Sequence, residues 1–470
     1  MAKATGRSLA VVGGGWAGCA AAVELSRTGH KVTLFEAART LGGRARRVAL
    51  EGGVLDNGQH ILLGAYDSTL RMLKLVGVDP RRALLNLPLQ MRYPPGSGGM
   101  DFVAPRWPAP LHLALALLRA KGLARADKLS LARFSSTARW MGWQLHDDCS
   151  VSELLERYDQ TPRLIQLMWR PLCLAALNTP PERASAQVFL NVLRDSLGAR
   201  RSASDMLLPR RDLSALFPDA AASFVARHGG AVRPGAAVSA LRQLDAGRWQ
   251  LETRAEAGMQ GNPPMEFDGL VLATPAAQAA ALLAPLGIAA LDQSVAQLTA
   301  FEPEAIATCY LQYGTGVRLD LAFFALLDDP ASGQWGQFVF DRGQLDAAQA
   351  GLLAVVVSAA DAAAALGQAA LVESIARQLA SVFRRPELGA PLWTRLITEK
   401  RATFACAPGL RRPPNDIGLP GLALAGDYTA GDYPATIESA VRSGALAAGV
   451  VLRTGAARGT VQHDVTNAAS

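Results

Sequence analysis

The chain has 470 residues, half of them hydrophobic but only 6% aromatic, and a formal charge of +7. That length implies two or three packed units, not one small core, and Ala and Leu carry most of the apolar character. Scattered arginines without interleaved stacking aromatics exclude a nucleic-acid surface, and five widely spaced cysteines with no CxxC pair exclude a disulfide framework or a zinc site.

From the N-terminus, Lys3 and Arg7 precede an apolar run, Leu9 to Val12, that breaks at three glycines and is too short for a signal peptide. No stretch reaches the roughly 18 apolar residues of a spanning helix. The expected location is therefore cytoplasmic, with at most peripheral contact at the inner face of the cell membrane. Ser8–Val12 reads as a buried strand, Ala17–Thr28 as a helix and Lys31–Phe35 as a second strand, the opening of a parallel α/β sheet. Between the first strand and the helix, Gly13, Gly15 and Gly18 form GxGxxG. Gly13 permits the tight turn, Gly15 lets backbone approach a pyrophosphate, and Gly18 lets helix and strand pack closely. The amides of Trp16, Ala17 and Gly18 at the helix N-terminus then face phosphate charge. Glu36 ends the next strand, where its carboxylate accepts hydrogen bonds from a ribose diol; an acid there favours a free 2′-hydroxyl, hence FAD or NAD and not NADP. Leu41-Gly42-Gly43-Arg44-Ala45-Arg46 follows, and its glycine backbone and Arg44 suit the same pyrophosphate.

Further on, residues 67–204 and 286–394 are rich in Leu and Ala at helical spacing. Leu111, Leu113, Leu115, Leu117 and Leu118 crowd one short helix within 108–128, followed by Arg119, Lys121, Arg125 and Lys128. This reads either as a core helix with a solvated end or as an interfacial helix beside a substrate entrance. Gly229 to Leu241 reads as a strand pair with Gly-Pro turns, Trp249–Thr253 as another strand, and the runs at Leu270–Ala273 and Leu422–Ala425 as further strands of the first sheet. The expected organisation is a discontinuous FAD-binding domain over 1–66, 205–285 and 395–455, a substrate-binding domain over 67–204 and 286–394, and a flexible tail over 456–470.

The succession GxGxxG, Glu36 and Gly-Gly-Arg-Ala-Arg resembles the FAD-dependent amine oxidase and phytoene desaturase superfamily. Ala425-Gly426-Asp427-Tyr428, followed by Pro434 to Ala440 and Ser443-Gly444, resembles its closing FAD motif. The resemblance implies an α/β fold: an FAD-binding Rossmann-like domain of the glutathione-reductase type, with a second, largely helical plus sheet substrate domain formed by insertions. It also implies that Gly43, Arg44, Gly426 and Asp427 lie along the cofactor, that Val238 meets the adenine through its backbone, and that a helix starting at Thr436 and Ile437 aims amides at the flavin.

Asp56-Asn57-Gly58-Gln59-His60, Met168 to Leu172 with Asn178-Thr179-Pro180, and Leu208 to Leu213 resemble the squalene-associated branch, the hydroxysqualene dehydroxylases. That implies reductive removal of an allylic hydroxyl from a long isoprenoid, with FAD reduced by an unidentified donor. His60, Asp56 and Tyr433 (with Tyr428) are the candidates for protonating or hydrogen-bonding the departing hydroxyl, and the residues alone do not single out the proton donor among them. Each has a structural alternative: His60 and Asp56 as braces of the flavin or of a loop, Tyr433 as a wall of the flavin face. A carotenoid-type desaturase or amine oxidase on the same fold is the nearest rival, and an isoprenoid carrier of this fold the rival of another class. The intact glycine and acid set favours an enzyme. No metal-ligating or hydrolase pattern occurs.

Overall fold

The computed structural model describes residues 6–50, 53–254 and 263–464. Strand β1 (Ser8–Val12) is apolar and buried along nearly its whole length, as suits a central parallel strand covered on both faces. Gly13 turns the chain with φ +106°, a region that favours glycine. Helix α1 (Trp16–Arg27) and strand β2 (Lys31–Glu36) follow, then a hairpin of β3 (Arg47–Leu50) and β4 (Gly53–Asp56). The block after it is helical. Its elements used below are α2 (Leu111–Arg119), α3 (Arg125–Trp140) and α4 (Ala186–Ser196). The five leucines expected on one short helix lie on α2, and the basic residues after them run from its end past Gly122, at φ +79°, onto α3.

The chain then returns to the first sheet. Strand β5 (Ala231–Pro234) joins β2 in parallel, Ala231 opposite Thr33 and Pro234 opposite Glu36. Strand β6 (Val238–Gln243) instead pairs antiparallel with Trp249–Thr253. The strand pair expected within 229–241 is therefore split between two sheets. Pro234 has no amide to continue a ladder, and Gly235, at φ +77°, redirects the chain. With β7 (Gly269–Leu272) and a last strand at Leu422–Leu424, the parallel sheet reads β5-β2-β1-β7 and then that last strand.

Between these lies the main departure from the sequence reading. Residues 286–394 are not chiefly helical. Strands β8 (Pro303–Gln312), β9 (Phe323–Ala325), β10 (Phe338–Asp341), β11 (Leu352–Ser358) and β12 (Trp393–Phe404) form an antiparallel sheet ordered β9-β10-β11-β8-β12. Strand β12 carries most of its length past 394, so 395–404, expected with the first sheet's domain, pairs in this antiparallel sheet. Side chains alternate across it. Ala307, Cys309 and Leu311 pack with Leu371, Ile375 and Leu379 of the helix Gln368–Phe383, while Tyr310, Phe323, Phe338 and Phe340 face the opposite core. Strand β11 is buried on both faces, and a continuous apolar run such as Leu352 to Val357 lacks the alternation that marks a strand in sequence. The last strand, β13 (Leu422–Leu424), leads to α5 (Ile437–Asp464). No proline interrupts that helix, so it extends into the stretch expected as a tail from 456; residues 465–470 lie outside the described residues.

Candidate active site

The C-terminal ends of β1, β2 and β7 gather the glycine turn and its acid. Glu36 accepts a 2.6 Å hydrogen bond from the Gly14 amide through Oε2 and a 2.7 Å bond from the Ala38 amide through Oε1. Its carboxylate is thereby fixed at the strand end with lone pairs to spare. Gly42 donates to the Gly14 carbonyl at 2.9 Å, laying the second glycine turn beside the first. Above them Arg44 Nη2 meets Asp427 Oδ1 at 2.6 Å, and Arg44 Nη1 donates to the Ala402 carbonyl at 2.8 Å. The motifs from the two ends of the chain, Gly43-Arg44 and Gly426-Asp427, therefore come together. Trp16 contributes only backbone here. Its indole donates to the Ala45 carbonyl at 2.9 Å and packs on Phe217, bracing the turn that carries Arg44. Ala17 and Gly18 continue the first turn of α1, and Val238 is half-buried where β6 begins.

Thr436 Oγ1 accepts from the Ser439 amide at 3.1 Å, capping α5, so that Thr436 and Ile437 present the start of that helix to a cavity. The cavity holds about 600 Å³ and runs from Arg44, Asn57 and Glu399 to the aliphatic faces of α2 and α3, with Leu113, Leu117 and Leu131 at its wall. Phe323, Phe338 and Phe340 of the second sheet form another side.

The candidate catalytic residues part company. His60 and Tyr433 line this cavity and Asp56 does not. Asp56 Oδ1 accepts from the Leu213 amide at 2.8 Å, at the start of the short helix Leu213–Leu216, and its carbonyl accepts from Tyr310 OH at 2.8 Å. Asp56 is a buried brace, and burial pushes its carboxyl up to about 6 despite the Leu213 amide. His60 is buried at the wall of the cavity. Burial holds its pKa below the ordinary value, and the Arg44 charge opposes a proton further. Its Nδ1 lies 3.2 Å from the Gly58 carbonyl, which requires an Nδ1–H donor and leaves Nε2 as an acceptor. Burial thus works against His60 as the proton donor among the candidates. Tyr433 donates its hydroxyl to Asp195 Oδ2, and burial together with that bond raises its pKa.

Of the five buried hydroxyls without a hydrogen-bond partner among the described residues, three, Thr274, Thr308 and Tyr428, lie by the site, and Ser26 and Ser97 lie elsewhere. Thr274 follows β7 beside the glycine turn, Thr308 lies near Gly58, and Tyr428 adjoins Asp427. Buried orphans along the line from glycine turn to cavity fit a bound dinucleotide with a ring system at its inner end. Thr274 had a sequence signal, since ligands sit at the carboxyl ends of parallel strands; Thr308, on an antiparallel strand, had none. Arg170 pairs with Asp328 at 3.3 Å, a structural contact.

The Asp56 assignment has a pH signature. Its folded-state value of about 6 lies above the ordinary 3.8. The associated stability is present below pH 4 and lost as pH rises through 6. Asp56→Asn should flatten that loss, by up to about 3 kcal/mol at neutral pH, with bound flavin unchanged. Thermal melts from pH 4 to 8 check this, and parallel profiles for variant and parent would refute the assignment.

The flavin containing amine oxidoreductase family model matches residues 16–452. The chain is 30% identical to the hydroxysqualene dehydroxylase of Rhodopseudomonas palustris over 96% of this chain and 100% of that one. It is 28% identical to the hydroxysqualene dehydroxylase of Sinorhizobium fredii over 95% and 98% of the two chains. Among solved structures, an oxidoreductase from Methanosarcina mazei superposes with a TM-score of 0.69 at 15% identity, over 93% of this chain and 99% of that one.

Proposed function

Because the chain belongs to the flavin-containing amine oxidoreductase family, in its hydroxysqualene dehydroxylase branch, and is an FAD-dependent oxidoreductase, we propose that it converts hydroxysqualene to squalene. The observation that carries this reading is the cavity of about 600 Å³, polar where it meets Arg44, Asn57 and Thr436 and aliphatic along α2 and α3. A long hydrocarbon with one hydroxyl matches that division. In the reaction the allylic C–O bond breaks, the hydroxyl leaves with a proton as water, and the carbon gains a hydride. Reduced FAD, when bound, supplies the hydride.

The chain's own residues bind, orient and exclude water. Gly13, Gly15, Gly18, Glu36, Gly43, Arg44, Gly426 and Asp427 would hold the dinucleotide. Thr436 and Ile437 place the α5 N-terminus, with its partial positive charge, at the inner end of the cavity. The phenylalanines of the second sheet give the cavity an apolar side that favours hydrocarbon over water. The one GxGxxG with its acid serves FAD, which leaves reduction to a separate electron donor, and the product would feed hopanoid-type synthesis. The deciding experiment is anaerobic addition of hydroxysqualene to the reduced holoenzyme. Flavin reoxidation with one equivalent of squalene is expected. No reoxidation, with a polyene or an amine reducing the oxidised flavin instead, would replace this reading by the desaturase or amine oxidase one.

Such a substrate resides in lipid, and α2 and α3 offer a lipid-facing surface. Leu118 is 73% and Trp140 87% exposed, with Trp107, Leu111 and Leu129 also exposed. Arg119, Lys121, Arg125 and Arg133 stand among them exposed, and the only acid in 102–140, Asp127, is buried. No helix among the described residues is long and apolar enough to cross a membrane. Docking of this face on anionic lipid would place the cavity wall against the bilayer. Leu115 is half-buried, so the informative change is Leu111→Ser with Leu118→Ser. Since a buried leucine contributes about 1.5–3 kcal/mol, cosedimentation with anionic vesicles should fall more than tenfold while flavin content stays constant. Undiminished binding would remove α2 from the membrane contact.

A further inference from the structure

Two carboxylates line the cavity among the described residues, Glu399 and Asp195. Those of Glu399 are engaged by the Asn57 side chain at 3.0 Å and the Arg401 amide at 3.3 Å. Asp195, near the end of α4, belongs to no sequence motif. Arg194 grips it with Nε at 2.7 Å from Oδ1 and Nη2 at 3.3 Å from Oδ2, and Tyr433 OH donates to Oδ2. The pair is held from both sides. Arg194 also reaches Asp432 at 3.2 Å, and Asn191 donates to the Asp432 carbonyl at 3.2 Å. On the other side the Arg442 guanidinium lies 4.5 Å from the Tyr433 ring centre, itself fixed by Glu438 at 2.7 Å.

The proton inventory follows from these contacts. Burial opposes the charge of Asp195, but the bonds from Arg194 and Tyr433 hold it below the ordinary carboxylate range. Burial and the same bond raise Tyr433. The proton therefore stays on the tyrosine oxygen and is committed to Asp195. What the pair offers to the cavity is lone pairs only, on the phenol oxygen and the carboxylate. Tyr433 stands two residues from Ala435 and three from Thr436, which also line the cavity, so these acceptors lie at its polar end.

We propose that the Tyr433–Asp195 pair is the element that recognises the substrate hydroxyl, selecting an isoprenoid alcohol over the corresponding hydrocarbon and orienting its C–O bond at the start of α5. This rests on the dehydroxylation reading above and deepens it. A site built to accept a hydrogen bond leaves its polar atoms unpaired when the ligand lacks the donor, and so discriminates more sharply than an apolar pocket distinguishes shapes. Loss of the hydroxyl during turnover removes the donor, so the pair binds substrate and releases product.

The test uses oxidised holoenzyme, in which no turnover occurs, and compares equilibrium binding of hydroxysqualene and squalene by perturbation of the flavin spectrum. Tyr433→Phe keeps the ring under Arg442 and removes the oxygen; Asp195→Asn keeps the shape and removes the charge. Each should weaken hydroxysqualene about ten- to a hundredfold and leave squalene unchanged, so that the preference for the alcohol collapses. Equal weakening of both ligands would make the pair structural, and an unchanged preference would place hydroxyl recognition elsewhere; either overturns the proposal. Geranylgeraniol and its hydrocarbon analogue give the same comparison independently of the reaction. If hydroxysqualene fails to reoxidise the reduced enzyme while the pair still discriminates this alcohol, the reaction assignment falls and hydroxyl recognition stands.

Discussion

Gly15→Val should give a folded protein that purifies without flavin. Gly15 precedes α1 with φ −70° and ψ 178°, a conformation any residue adopts, and a Cβ there would meet only Gly43 Cα, at 3.9 Å. The protein itself has room for a side chain. What the branched side chain fills is the space between the two glycine turns, where the pyrophosphate would lie. Gly18 is the control. A Cβ on Gly18 would stand 1.8 Å from the Gly13 carbonyl oxygen, so Gly18→Ala should damage folding itself. Flavin absorbance per mole of protein, with a circular-dichroism melt, separates the two. Stoichiometric flavin in Gly15→Val would sink the cofactor assignment.

Arg44→Ala should cost both stability and cofactor. Asp427 is 6% exposed, and its partner at 2.6 Å is Arg44. Removing one member of a buried pair leaves a charge without compensation. Because Arg44 is itself partly exposed, the loss should fall near about 2–3 kcal/mol, at or below the low end for buried pairs. The Ala402 carbonyl loses its donor as well, loosening β12 beside the cavity. Arg44→Ala with Asp427→Asn should recover most of the stability but none of the FAD affinity, read by melting and by titration of apoprotein with FAD. Recovery of affinity in the double variant would show that the guanidinium serves Asp427 and not the cofactor.

The contrast between Arg44 and Asp195 explains what the sequence disclosed. Arg44 and Asp427 are 383 positions apart, yet each sits in a local pattern of glycines whose backbone demands are legible one segment at a time. Tyr433 and Asp195 are 238 apart, and only Tyr433 adjoins such a pattern; Asp195 follows an arginine on an ordinary amphipathic helix. The parallel strands β1, β2 and β7 were legible because glycine turns and short apolar runs bound them. The sheet from β8 to β12 was not, since its inner strand is apolar on both faces and its long edge strand is interleaved with charge. Asp56 shows the opposite error. Its neighbourhood in sequence marked it for chemistry, but the carboxylate turns toward the Leu213 amide, a direction that only tertiary structure decides.

The parallel sheet interleaves strands from distant parts of the chain, with β13 bordering β7 and α5 lying against α1. This imposes an order on biogenesis. With Asp427 made 383 positions after Arg44, and a ribosome adding about 5–20 residues per second, roughly 20–80 s pass between the two. Over that interval the parallel sheet keeps an open lateral edge, first that of β1 awaiting β7 and then that of β7 awaiting β13, and α1 lacks the cover of α5. The nascent protein must keep that edge from pairing with other chains. If FAD is held by Arg44 and Asp427 as proposed, it can be captured only as synthesis closes. Its supply in the cell then governs how much newly made chain is locked into the native state and how much is surrendered to chaperones and proteases.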